Sequence, residues 1–194
     1  ETIKLCKKMD LSTLPKERIE TELKKALLKS KKPSIFFEEI RKMNQLDYWF
    51  KEVKNLIGVQ QNPKYHAEGD VWVHTMMVLD EGVKYLHKID NHSYFLLSCV
   101  AYDFGKYSCT EIINGEIKSH KHEIEGLPLV ESFLNRITNE KMLIKYIFNM
   151  TKLHMRPHTL ALAKSSSKSA NKLFDESVDP LALICLANAD RNGS

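Results

Sequence analysis

The stretch VWVHTMMVLDEGVKYLHK, which begins at Val71, constrains the fold most. Its first nine residues are apolar around the whole circumference of a helix, apart from His74 and Thr75. Such a helix has no face to give to water, so other elements must wrap it on all sides. A second run, LLSCVAYDFGKYS from Leu96 to Ser108, stays apolar until it meets Asp103. A buried lone carboxylate costs several kcal/mol unless a cation or hydrogen bonds compensate it. The remainder of the chain must therefore hold its partners.

Almost all other periodicity is helical too. Ser12 or Thr13 can cap a helix with Pro15 in its first turn and the stripe Ile19, Leu23, Leu27. Pro33 and Ser34 open a second helix through Phe36, Phe37, Ile40 and Met43. A third follows Asp47 through Trp49, Phe50, Val53 and Ile57, ending at Gly58. Gln60 to Asp70 reads as a polar loop. Further helices fit Ser93 to Phe104, Leu127 to Ile137, Asn139 to Met155 and Val178 to Asp190, with a loop from Lys164 to Lys172. The one hairpin signal is IINGEIK, with Asn114-Gly115 as a type I′ turn. The fold class is all-α: a small helical subdomain over residues 1–60, then a helical bundle over 61–194, with at most one short β-hairpin.

Composition narrows the partners. No apolar run approaches a membrane span, and the N-terminus has no signal-peptide core, so no membrane partner is expected. Four cysteines without a CxxC pair fit a reduced, cytoplasmic protein. The net charge of +4 is weighted towards KERIETELKKALLKSKK. That suits a polyanion such as RNA, or equally a solvated helix face in which Glu17, Glu20 and Glu22 interleave with the lysines.

Four helices of the bundle carry a His or Asp where an apolar residue is expected: His74, Asp103, His154 after Ile147 and Thr151, and Asp190 after Leu183 and Ala187. His120 and His122 follow the hairpin. Neutral imidazole with carboxylate is the donor mix that binds Zn, Mn, Fe or Mg, and a divalent cation would supply the charge Asp103 needs.

This ordered set resembles the HD phosphohydrolase superfamily, whose motifs run histidine, adjacent His-Asp pair, distant aspartate. Within it the chain is similar to the C-terminal, HD-bearing part of bacterial CCA-adding tRNA nucleotidyltransferases. The similar segments are LPKERIETELKKALL, YHAEGDVWVHTMMVLD, DFGK, GEIKSHKHEIEG, KLHMRP, NKLFD and ANADRNG, in the same order along nearly the whole chain. The resemblance implies an HD bundle for residues 61–194 and an RNA-binding subdomain before it. It makes His74, Asp103 and Asp190 metal ligands, and His122 and His154 ligands of a second metal or of a substrate phosphate. Asp103 and Lys106 take the catalytic roles, with Lys106 facing the phosphate where Gly105 lets the backbone approach closely. His66 and Asp70 line the entrance as substrate-binding residues. The implied reaction is metal-assisted hydrolysis of phosphate esters at a tRNA or RNA 3′ end, with Mn, Ni, Mg, Zn or Fe as cofactor and a homodimer as one assembly.

One position departs from the pattern: the pair is Tyr102-Asp103. A neutral phenol, with a pKa near 10, is a poor ligand compared with imidazole, so the metal site is expected to be weakened or empty. In a structural reading the Tyr102 hydroxyl donates to Asp103. The alternative function is then a non-catalytic tRNA-binding or dimerisation module; a hydrolase of small nucleotides is a third. The seven glycines are never adjacent and no DxD occurs, so a polymerising head is not expected in these residues.

Overall fold

The computed structural model describes residues 1–163 and 166–193. Thirteen α-helices and one antiparallel hairpin follow in order among them. A short α1 (Thr2–Cys6) precedes α2 (Lys16–Lys29), α3 (Ser34–Lys42) and the single turn α4 (Lys51–Lys54). Next come α5 (Val71–Val83), α6 (His92–Ala101) and the short α7 (Lys106–Cys109). Strands β1 (Thr110–Ile113) and β2 (Glu116–Ser119) lead to α8 (His122–Glu125). The chain ends with α9 (Leu127–Ile137), α10 (Lys141–Leu153), α11 (Met155–Leu162), α12 (Ser167–Glu176) and α13 (Pro180–Asn192). The all-α class with one hairpin holds.

The two apolar runs form the centre. In α5, Val71, Trp72, His74, Thr75, Met76, Val78, Leu79 and Gly82 are buried against α3, α6 and α13. The wrapping is incomplete, since Val73 and Met77 remain exposed. In α6 every residue from Phe95 to Ala101 is buried, between α2, α5, α10 and α13. Each such apolar side chain contributes about 1.5–3 kcal/mol by leaving water. Ile19, Leu23 and Leu27 of α2, with Phe37, Phe50, Val53 and Leu56, belong to the same continuous core as the helices beyond residue 70.

Several local expectations are corrected. The cap before α2 is not made by Ser12 or Thr13. Asp10 accepts from the Ser12 amide at 3.0 Å and caps a 3-10 turn, while Pro15 occupies the N-cap of α2. The segment from Asp47 to Gly58 is mostly turns around α4, and the long helix from Val71 stops at Val83 before a 3-10 turn at Leu86–Lys88. The helix expected to run to Met155 breaks at His154, and α11 begins there, with Pro157 in its first turn where the missing amide costs nothing. Within the stretch expected as a loop, residues 167–172 are helical; Lys164 and Ser165 lie outside the described residues. The Asn114-Gly115 turn is as expected, with φ of 52° and 80° and Ile113 paired to Glu116. The described residues contain no disulfide and no helix long and apolar enough to cross a membrane.

Candidate metal centre

Asp103 follows the last turn of α6 and has a side chain only 1% exposed. Its partners are the ones a buried carboxylate requires. Lys106, one turn on, places Nζ 2.8 Å from Oδ2, and His122 Nε2 lies 3.1 Å from Oδ1. His154 Nε2 is 3.7 Å from the same oxygen. Burial alone would raise the Asp103 pKa, but Lys106 and His122 overcome it and hold the carboxyl well below its usual range.

A steric device brings these segments together. A Cβ on Gly105 would lie 2.0 Å from the His122 carbonyl oxygen and 2.8 Å from the Gly126 amide nitrogen. Only glycine lets the DFGK turn touch the start of α8. The close approach at Gly105 thus serves packing against α8. Lys121, at φ 59°, turns the chain so that His122 faces inward while His120 stays exposed.

The histidine pair is informative. His122 Nδ1 sits 2.8 Å from the Ser119 carbonyl and His154 Nδ1 2.7 Å from the Thr151 carbonyl. A carbonyl only accepts, so each Nδ1 carries the proton and each Nε2 lone pair points inward. These two nitrogens are 3.1 Å apart, and His122 Nε2 also lies 3.1 Å from Asp103 Oδ1. The Lys106 ammonium already neutralises Oδ2; among Oδ1 and the two Nε2 atoms, a shared proton or a metal ion in its place reconciles the three donors. His122 is shifted towards the protonated form, because Asp103 outweighs its burial; burial and His122 push His154 down to about 4. The donor set fits a borderline divalent cation.

A second group shares Asp103. His74 Nε2 lies 2.8 Å from Asp190 Oδ1, and the ligand-capable atoms of His74, Asp103 and Asp190 fall within 4.8 Å of one another. Tyr102 donates its hydroxyl to Asp190 Oδ1 at 2.8 Å, not to Asp103 as expected. Its pKa is raised well above normal by burial and by Asp103 and Asp190, so the phenol stays protonated.

His66 and Lys106 line a cavity of about 780 Å³ with Asp103, His122, His154 and Asp190. Asp70 is not among its walls. The Asp70 carboxylate caps α5 by accepting from the Val73 amide at 3.1 Å and also takes the Gly58 amide at 2.6 Å. Three participants carried no sequence signal. Glu68 Oε1 lies 2.7 Å from His74 Nδ1, His158 Nε2 lies 3.2 Å from Asp190 Oδ2, and Gln61 Oε1 accepts from Lys106 at 2.8 Å. All three are polar residues outside any apolar stripe; only the proximity of Glu68 to His66 in YHAEGD was a hint.

The fold and site together define an all-helical protein built around a buried histidine–aspartate cluster. No family model matches the chain. The chain is similar to proteins named multifunctional CCA protein: 28% identical to that of Haemophilus ducreyi over 97% of this chain, and 29% identical to that of Pseudoalteromonas atlantica over 93%. That of Acinetobacter baylyi is 30% identical over 77% of the chain. The matched region is 48%, 44% and 34% of those relatives, so the chain spans less than half their length.

Proposed function

We propose that residues 61–194 form an HD-type, metal-dependent phosphohydrolase domain of a tRNA-processing, CCA-adding-type protein, acting on phosphate esters at RNA 3′ ends. Residues 1–60 make the RNA-contacting part, and the setting is cytoplasmic. The observation that carries this reading is the convergence of Asp103, His122 and His154 on one buried point, with their ligand-capable atoms within 4.8 Å of one another. Asp103, His122 and His154 would hold one cation, and His74, Asp103 and Asp190 a second. A divalent cation there supplies Lewis-acid charge to a phosphoryl oxygen.

The chain's own groups do the rest. Lys106 is fixed between Asp103 and Gln61 at the cavity wall, where its ammonium neutralises charge on a bound phosphate. Burial keeps His154 neutral, and the Nδ1 contacts of His122 and His154 to carbonyl oxygens fix which nitrogen faces the cavity. The test is hydrolysis of a 2′,3′-cyclic phosphate RNA end after loading with Mn or Ni. Activity is expected in the wild type and absent in Asp103→Asn; a wild type no faster than the variant would defeat the reading.

A second reading has its own support. Tyr102 places a hydrogen-bonded phenol beside Asp190 where the HD pattern has an imidazole. A chain that has lost turnover would serve as a tRNA-binding module, alone or as a homodimer. Binding of tRNA with a steep salt dependence, in a wild type without hydrolysis, selects this reading; a shallow slope removes it.

A further inference from the structure

The second face of His74 carries a separate arrangement. Its Nε2 is aligned with Asp190 Oδ1 at 2.8 Å, an oxygen that also accepts from Tyr102. A carboxylate oxygen only accepts, so the His74 proton belongs on Nε2 and its lone pair on Nδ1. That lone pair faces Glu68 Oε1 at 2.7 Å, a contact that is repulsive between a neutral imidazole and a carboxylate unless a cation joins them. His66 Nδ1 donates to the same oxygen at 3.0 Å, through a proton that a cation would displace, and Gln61 Nε2 donates to it at 3.3 Å. The Glu68 side chain is only 5% exposed, and its Oε2 is buried without a hydrogen-bond partner among the described residues. An unpartnered buried carboxylate oxygen beside an unpartnered imidazole nitrogen is costly unless a cation joins them.

The geometry points to a further cation site, formed by His66 Nδ1, Glu68 and His74 Nδ1, for a borderline divalent metal such as Zn or Mn. Two nitrogens and a carboxylate are a typical donor set with a coordination position left open. Asp190 acts here as the carboxylate that fixes the His74 tautomer, not as a ligand. A neutral imidazole has one lone pair, so His74 serves this site through Nδ1 or the Asp103–Asp190 group through Nε2, never both. The inference takes the place of the second cation of the hydrolytic reading, which needs His74 Nε2, and leaves the first untouched, because Asp103, His122 and His154 take no part in it.

The test is titration of the metal-free full chain with Co(II), read by visible absorption and by calorimetric stoichiometry. Wild type, Glu68→Gln, His66→Gln and His154→Gln are compared, with circular dichroism as the check on folding. His66 lies in a partly exposed loop, so its variant covers a failure of Glu68→Gln to fold. Glu68→Gln and His66→Gln are each expected to lose one bound equivalent, or to bind it at least about tenfold more weakly, while His154→Gln keeps that equivalent. Equal stoichiometry with affinities within about threefold in wild type and both variants overturns the site. A wild type whose only cation disappears in His154→Gln overturns it too and leaves the hydrolytic reading standing. A cation lost only in the Glu68 and His66 variants supports the site and removes the cation of Asp103, His122 and His154 from that reading.

Discussion

Arg136 and Glu52 join α9 to α4 by a bidentate pair: Nη2 to Oε1 at 2.6 Å and Nη1 to Oε2 at 2.8 Å. The two partners are not equally dependent on it. Glu52 is 1% exposed, and the pair is its only side-chain polar contact among the described residues; Arg136 is 14% exposed and also donates to the Trp49 carbonyl and to Ser132 Oγ, each at 3.2 Å. Replacing Arg136 with Met therefore leaves a buried carboxylate without a counter-charge, at a cost of about 3–5 kcal/mol. Replacing Glu52 with Leu leaves an arginine that keeps two acceptors and some water, so its cost is smaller, about 1–3 kcal/mol. For a chain of this size the arginine variant should melt about 6–20 °C lower. The double variant Arg136→Met with Glu52→Leu removes both charges and should recover most of that loss. Urea unfolding followed by far-UV circular dichroism measures all four proteins. The reasoning is refuted if Arg136→Met costs less than about 1 kcal/mol, if Glu52→Leu costs as much as the arginine change, or if the two losses simply add.

Gly105→Ala must separate the DFGK turn from α8, because the new methyl would meet the His122 carbonyl at 2.0 Å. A loss of at least about 2 kcal/mol in the same unfolding assay is expected, and a change within about 0.5 kcal/mol would contradict it. Tyr102→Phe removes the hydroxyl that Asp190 accepts, and should cost about 1.5–3 kcal/mol with no change in far-UV signal. The Glu140 carboxyl is held below its usual range by Lys24 and Tyr94. Its folded pKa is depressed, so its contribution is present above the unfolded value near 4.5 and fades as pH falls through the folded one. Carbon NMR of that carboxyl should show the low titration in wild type and a rise in Tyr94→Phe; an unchanged midpoint would refute the assignment to Tyr94.

The parts of the fold legible in the sequence were those where burial writes a period. The stripe Ile19, Leu23, Leu27 and the run Phe95 to Ala101 name their helices because apolar spacing and packing are the same fact. Asn114-Gly115 marks its turn because both residues must take positive φ. By contrast, α12 buries only Leu173, so its serines and lysines read as a loop. The division of one expected helix into α10 and α11 at His154 was hidden because apolar residues continue across the break. At the candidate site, His74, Asp103, His154 and Asp190 stood out as polar interruptions of apolar stripes. Glu68, Gln61 and His158 did not, because a polar residue in a loop or on a mixed helix gives no sign that tertiary packing turns it inward.

Asp70 has a consequence beyond its own hydrogen bonds. One oxygen receives the amide of Gly58 and the other that of Val73, while Gln61 and Gly69 are bonded across the neck of the segment between them. The strap bearing His66 and Glu68 is thus cinched at its base to the helix bearing His74. A residue outside the histidine–carboxylate group sets the reach of the three that form it, so a change at Asp70 would loosen all of them at once.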